Sequence, residues 1–164
     1  MTPALDLDGN DLSFQLEGND VSTVDLGDVS NLNYGMGTLT TPQQCTATGY
    51  STDVDIQTIT MESGDIDFNT STDGITVSSD GIYELSWSGY VYQSSAAGTA
   101  LFQLYVNSGA ASTPEHRQGT SGINESVGQT VLLDLNASDV VYLKMGKNSQ
   151  NFYIDEVAIT MKKL

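Results

Sequence analysis

Apolar and polar residues alternate along much of this chain with the period of two that marks a strand buried on one side. The longest such run is residues 82–92. Tyr83, Leu85, Trp87, Gly89 and Val91 share one face, and Ile82, Glu84, Ser86, Ser88, Tyr90 and Tyr92 share the other. Further strands are predicted at residues 53–59, around Ile66 and Phe68, and at 75–77, 101–106, 130–135, 140–145 and 152–161. Turn formers such as Ser79-Asp80-Gly81 and Asn107-Ser108-Gly109 separate them. Residues 108–128 are polar and glycine-rich, which predicts a surface loop containing His116 and Arg117.

Before these strands the chain repeats itself. Leu7-Asp8-Gly9-Asn10-Asp11-Leu12-Ser13 recurs nine residues later as Leu16-Glu17-Gly18-Asn19-Asp20-Val21-Ser22. Gly-Asn supplies the positive φ that tight hairpins require. Leu12, Phe14 and Leu16 alternate with Ser13 and Gln15, and a further strand follows at 24–26. Strands this short need cover, so residues 1–50 are expected to form a β-hairpin arm and connector that anchors the protein to a particle or partner. Leu5, Leu7, Leu12, Phe14 and Leu16 are its anchoring residues. Residues 27–50, punctuated by Gly27, Gly35, Gly37, Pro42 and Gly49, read as connector. Residues 51–164 are the expected main domain.

Two strands are apolar on both faces. Phe102, Leu104 and Val106 alternate with Leu101 and Tyr105, and Val141, Leu143 and Met145 alternate with Val140 and Tyr142. A strand facing water would alternate apolar with polar. Without helices to cover the second face, another copy of the sheet is the expected cover. Tyr90, Tyr92, Leu101, Tyr105, Leu132 and Tyr142 are therefore predicted to lie in one self-association interface.

The run Ile75-Thr76-Val77-Ser78-Ser79-Asp80-Gly81-Ile82-Tyr83-Glu84-Leu85-Ser86-Trp87 resembles the signature strand pair of the tumour necrosis factor and complement globular-head superfamily. Leu104-Tyr105-Val106-Asn107-Ser108-Gly109 resembles its strand ending in an Asn-Gly turn. Residues 131–141 resemble its "apolar strand, Leu, short turn, Asp, Val" segment, with Ser138 where Gly is usual. The ending Ile159-Thr160-Met161-Lys162-Lys163-Leu164 resembles the last strand of viral and bacterial members. The resemblance implies an all-β fold: a ten-stranded antiparallel jelly-roll sandwich, tumour necrosis factor-like, that assembles as a homotrimer.

Charge narrows the function. The chain of 164 residues has 21 acids against five bases, a formal net charge of −16. All five bases (Arg117, Lys144, Lys147, Lys162, Lys163) lie in the last 48 residues. Such a surface repels nucleic acid and anionic membrane, and neither is an expected partner. No apolar run approaches the roughly 20 residues of a membrane span. The segment Met1-Thr2-Pro3-Ala4-Leu5-Asp6 lacks the features of a signal peptide, which predicts synthesis in a host cytoplasm. The single cysteine, Cys45, has no intrachain disulfide partner.

Chemistry is sparse. His116 is the only histidine, it sits beside Glu115 and Arg117, and no nucleophile elbow or phosphate-binding loop accompanies it, so no enzyme activity is expected. Asp6 and Asp8, Asp53 and Asp55, and Asp65 and Asp67 are spaced to share a strand face. Calcium is the one ion they suggest, but solvated edge charges explain the same residues, and no metal or cofactor is expected. The function expected is that of a virion structural protein of a tailed bacteriophage. It would be a homotrimeric decoration (cement) protein or short head spike, bound to the major capsid protein or another virion protein. The alternative is a host-receptor or glycan-binding knob of a tail spike, fibre or adhesin; a secreted ligand domain ranks third.

Overall fold

The computed structural model describes residues 4–8, 11–16, 19–25, 33–93, 98–119 and 123–164, with side chains described in 33–93, 98–117 and 123–164. The chain divides into two compact units, Met1–Leu32 and Asn33–Leu164. In the first, β1 (Ala4–Asp8), β2 (Asp11–Leu16) and β3 (Asn19–Asp25) pair antiparallel in the order β1-β2-β3. The anchoring residues Leu5, Leu7, Leu12, Phe14 and Leu16 lie on β1 and β2; their side chains fall outside the described part.

The second unit contains β4 (Tyr34–Leu39), β5 (Gln43–Cys45), β6 (Thr52–Asp53), β7 (Thr58–Glu62), β8 (Ile66–Asn69) and β9 (Gly74–Val77). It continues with β10 (Gly81–Tyr92), β11 (Gly98–Val106), β12 (Gly109–Ala110) and β13 (Glu115–Gly119). The last three strands are β14 (Glu125–Leu135), β15 (Val140–Lys147) and β16 (Phe152–Lys163). They form two antiparallel sheets. Sheet one has the order β14-β10-β16-β4-β7, with β5 also on β16. Sheet two has the order β12-β11-β15-β9-β8, with β13 on β11 and β6 on β15.

The inner faces pack into one core. Tyr83, Leu85, Trp87 and Val91 of β10 are buried, as the alternation predicts, against Phe102 and Leu104 of β11 and Val141, Leu143 and Met145 of β15. In β16 the buried set changes phase, from Phe152 and Ile154 to Val157, Ile159 and Met161. The change falls at a bulge where Glu156 adopts φ 49° and the register with β10 shifts between Ser88 and Tyr90.

The domain boundary moves from residue 50 to Leu32, because much of the predicted connector is strand. β4 pairs with β16 from Leu39↔Val157 to Tyr34↔Lys162, and Cys45 of β5 lies opposite Phe152. The glycines that suggested turns are the reason β4 fits. A Cβ on Gly35 or Gly37 would lie 2.4 or 2.7 Å from the ring of Phe68, so only glycine lets the ring reach the strand. Within the polar segment 108–128, the described residues supply β12, β13 and the first residues of β14 in place of a plain loop. Ser138, which replaces the usual glycine, has φ 75°. Its turn is held by Asn136 N–H and Asn107 Nδ2 donating to Asp139, at 2.9 and 2.8 Å. These bonds, the backbone one foremost, hold the Asp139 carboxyl below its usual range.

Asp65 ties the ends of the unit together. Its carboxylate accepts from Ser79 Oγ, from Ser78 Oγ at 3.0 Å, from Asn33 Nδ2 at 3.0 Å and from Lys163 Nζ at 3.2 Å. The serine hydroxyls, and after them Lys163, hold this carboxyl below the usual range. A lowered carboxylate contributes stability above the unfolded value, about 4, and the contribution is lost as pH falls through the folded value. Asp65→Asn should therefore lower stability at pH 7, begin to converge on the parent as pH falls below about 4, and meet it below the folded value. Urea unfolding across a pH series checks this; a constant offset would mean the charge contributes nothing.

Candidate functional site

Closing the core leaves two outer faces. On sheet one, register places Leu132, Glu84, Lys162 and Tyr34 in one row across β14, β10, β16 and β4. The next rows are Thr130, Ser86, Thr160 and Met36, then Gly128, Ser88, Ala158 and Thr38. These small residues floor a depression of about 450 Å³ lined by Ser86, Ser88, Gly128, Thr130, Ala158 and Thr160. The hydroxyls of Ser86 and Thr130 bond each other, and Lys162 pairs with Glu84 at 3.0 Å. Taller apolar side chains surround it, with Leu132 63%, Met61 54%, Ile82 42% and Tyr90 41% exposed. At the far end Tyr92 stacks on Tyr153 at 5.0 Å, and Gln44 Nε2 donates to the Tyr153 hydroxyl at 2.9 Å.

Sheet two treats its outer face differently. Tyr105 of β11 lies directly opposite Tyr142 of β15, and Leu101 lies opposite both Gly146 and His116. Residues 47–50 cross this face at Gly146, where an added Cβ would sit 1.3 Å from the Gly49 carbonyl oxygen. The crossing is pinned by Lys147 N–H donating to Ala47 O at 2.9 Å. It delivers Tyr50 to 6.4 Å from the Tyr105 ring, with its hydroxyl 3.0 Å from His116 Nε2. Burial, and after it the neighbouring Tyr105, pushes the Tyr50 phenol up. Lys144 Nζ lies over Tyr142 at 5.2 Å and Tyr105 at 5.7 Å, and donates to Asp53 at 2.5 Å.

The six predicted interface residues therefore do not form one patch. Tyr90, Tyr92 and Leu132 belong to sheet one, and Leu101, Tyr105 and Tyr142 to sheet two, with the core between the sheets. The inference that a two-faced strand needs a sister copy is also corrected for β11 and β15. Their outer residues are half-buried by the chain's own 47–50 crossing, by Tyr50 and by the Lys144 stem. Sequence reasoning missed Tyr50, Asp53 and Lys144 as partners of this patch. One signal was present: Gly146, a glycine in an apolar strand, marks close backbone approach.

Asp6 and Asp8 have side chains outside the described part, and the carboxylates of the other two pairs are not held together. Asp53 takes Lys144 and Asp65 takes Lys163, while Asp55 accepts from Gln43 Nε2 at 2.6 Å. Burial first, then Asp73 and Asp53, raises the Asp55 carboxyl. Among the described residues no group of three or more His, Cys, Asp or Glu side chains is placed to hold a metal. Cys45 is fully buried, and burial pushes its thiol up.

The sequence matches no protein-family model and no curated protein. Solved structures match well in shape. The globular domain of a zebrafish complement 1qA protein superposes with a TM-score of 0.60 at 14% identity, covering 79% of this chain and 94% of that one. The fold is a tumour necrosis factor-like jelly roll. The TNF protein Eiger from S. frugiperda gives a TM-score of 0.56 at 13% identity, covering 82% of this chain and 93% of its own. Murine APRIL gives 0.55 at 15%, covering 80% and 99%. At these identities the likeness concerns the jelly roll itself.

Gly146→Ala tests the crossing. The new methyl meets backbone rather than a movable side chain, so residues 47–50 must lift from the sheet. Urea unfolding should show a loss of about 1–3 kcal/mol, and deuterium uptake across 46–51 should rise. Unchanged stability and uptake would mean the segment is not held by this contact.

Proposed function

We propose that the protein is a homotrimeric structural protein of a tailed-phage virion, a decoration protein or short head spike that self-associates through the outer face of sheet one. The observation that carries the self-association is the concentration of uncovered apolar side chains there, Leu132, Ile82, Tyr90 and Met61, beside the Lys162–Glu84 pair. Exposed apolar groups of this kind mark interaction surfaces. Further support comes from the jelly roll, whose resemblance implies threefold assembly. The chain's net charge of −16 opposes association, and Asp134 and Asp155 lie on this same face opposite Ile82 and Tyr90, so apolar burial has to outweigh that repulsion.

The amino-terminal unit supports attachment to a larger particle. Register sets Leu5 opposite Phe14 and Leu7 opposite Leu12, which is opposite Val24; the intervening rows hold Asp6, Ser13 and Thr23, then Asp8, Asp11 and Asp25. One face of the three-stranded sheet is thus apolar in sequence and the other acidic. A unit of 32 residues is below the roughly 40 at which a domain sustains its own core. Its apolar face needs cover, and a virion surface such as the major capsid protein is the partner proposed. On this reading the protein acts by binding and assembly, and its place is the virion.

Light scattering should give about 52 kDa, three chains of 17.5 kDa. Leu132→Asp should yield folded monomers, because burying an unpaired charge costs on the order of 3–5 kcal/mol. Tyr142→Asp, on the opposite sheet, should leave the trimer intact. A monomeric parent protein, or dissociation by Tyr142→Asp alone, would overturn the interface. Deleting residues 1–32 should leave a trimer that no longer sediments with capsids lacking the protein. Retained attachment would remove the arm from the binding role.

A further inference from the structure

The outer face of sheet one carries charge among its apolar groups. Register places Asp134 opposite Ile82 at one end of the face and Asp155 opposite Tyr90 toward the other. Between them Lys162 pairs with Glu84 at 3.0 Å. Three carboxylates against one ammonium leave these rows at −2. The ammonium offsets neither of the outlying carboxylates. Glu84 and Tyr90 are six residues apart on β10, which sets Asp155 about 20 Å along the sheet from the Lys162 row. Asp134 is one row from the Lys162–Glu84 pair, and a pair has no net charge to set against it. The other bases are engaged elsewhere. Lys144 and Lys163 hold Asp53 and Asp65, Arg117 holds Glu115, and Lys147, at the end of β15 in sheet two, donates to Asn151. The chain has five bases in all, so a sister copy brings only the same set.

We infer that self-association through sheet one is set by ionic strength, with Asp134 and Asp155 as the carboxylates that hold copies apart when salt is low.

This inference rests on the trimer proposed above and adds how that trimer is regulated. Threefold symmetry repeats each carboxylate three times around one axis. The apolar groups that favour contact sit in the same rows as the charges that oppose it. Leu132 shares the row of Glu84, Ile82 that of Asp134, and Tyr90 that of Asp155. Burying the first set therefore brings the second together. The two effects differ in reach. Apolar attraction acts at contact, whereas repulsion between carboxylates acts over the screening length. That length falls from about 30 Å at 0.01 M salt to about 8 Å at 0.15 M. At the lower concentration carboxylates at both ends of the face repel across the whole contact; at the higher, only near neighbours do. The sign is diagnostic, because an interface held by ion pairs between copies weakens as salt rises and this one strengthens. Charges at the margin of a contact act chiefly on its rate and salt dependence, so Asp134 and Asp155 can be neutralised with the apolar contact kept. Copies of a virion protein built this way would join in the salt of a host cell and separate in dilute medium unless a particle holds them.

The test follows the mass of the full-length protein by light scattering in sodium chloride from about 0.01 to about 0.3 M. At a fixed protein concentration the parent should move from one chain of 17.5 kDa toward three, about 52 kDa, as salt rises. Asp134→Asn combined with Asp155→Asn should assemble at the low-salt end. Its protein concentration for half-assembly there should fall about tenfold or more, equivalent to 1.4 kcal/mol. Asp67→Asn combined with Glu115→Gln removes as many charges from β8 and β13 of sheet two, and should follow the parent. A parent trimer that persists unchanged from low salt to high would sink the inference while leaving the trimer in place. So would a trimer that loosens as salt rises, since a base of the neighbouring copy would then be answering these carboxylates. An equal shift in the sheet-two variant would also overturn it, because bulk charge would be responsible. Parent and sheet-one variant both monomeric at every salt concentration would remove the trimer, and this regulation with it.

Discussion

Trp87 of β10, Phe102 of β11 and Phe152 of β16 meet between the sheets, with ring centroids 5.2 and 5.6 Å apart. This three-ring contact fixes which side of each strand faces inward. Because side chains alternate with a period of two, slipping any of these strands by one residue would turn its whole apolar set to water. The bulge at Glu156 is the exception that keeps the rule. It inserts one residue into β16 so that Phe152 and Ile154 can face the core together with Val157, Ile159 and Met161. Without it, one end of β16 would pack and the other would not.

Once the inner faces are set, the outer faces follow, and the chain handles them by different means. Sheet two is crossed by the chain's own residues 47–50, which the missing side chain of Gly146 admits. Lys144 adds cover by laying its stem among Tyr105 and Tyr142 and binding Asp53. Sheet one has no such crossing among the described residues. Its centre is small and hydroxyl-bearing, and its tall apolar groups stand at the margins. The exposed Leu132, Ile82, Tyr90 and Met61 are why self-association is proposed for sheet one.

The strand that organises the core was legible in the sequence, because residues 82–92 alternate without interruption and every inward position, from Tyr83 to Val91, is buried. The jelly roll was legible too, through the order of turns and apolar strands after Ile75. Residues 34–45 were not. Gly35 and Gly37 look like turn residues in one dimension, and only the Phe68 ring from β8 reveals them as a place where a strand is pressed close. The interface prediction failed for a related reason. Alternation tells that Leu101, Tyr105 and Tyr142 face away from the core, and also that Tyr90 and Leu132 do. It carries no information on which sheet a strand joins, so residues on opposite faces of the sandwich were assigned to one patch. Nor does periodicity report that a segment 90 or so residues earlier returns to cover part of that face.

Charge connects these features to assembly. Seven of the 21 acids lie in residues 1–32 with no base among them, and every base lies after residue 116. Of the bases, Lys144, Lys162 and Lys163 are each spent on a carboxylate of the jelly roll, and Arg117 pairs with Glu115 at 3.0 Å. Little positive charge therefore remains to attract the acidic surface of another copy. In the trimer proposed, attraction between copies has to come from apolar contact on sheet one, where Lys162 and Glu84 pair but Asp134 and Asp155 also lie. Screening limits the opposing repulsion to about 8 Å at physiological ionic strength, so carboxylates at the ends and loops weigh little on that contact. The same distribution leaves the amino-terminal unit strongly acidic beside its apolar rows. Its natural counterpart is a surface that is both apolar and basic, which a further copy of this chain does not offer.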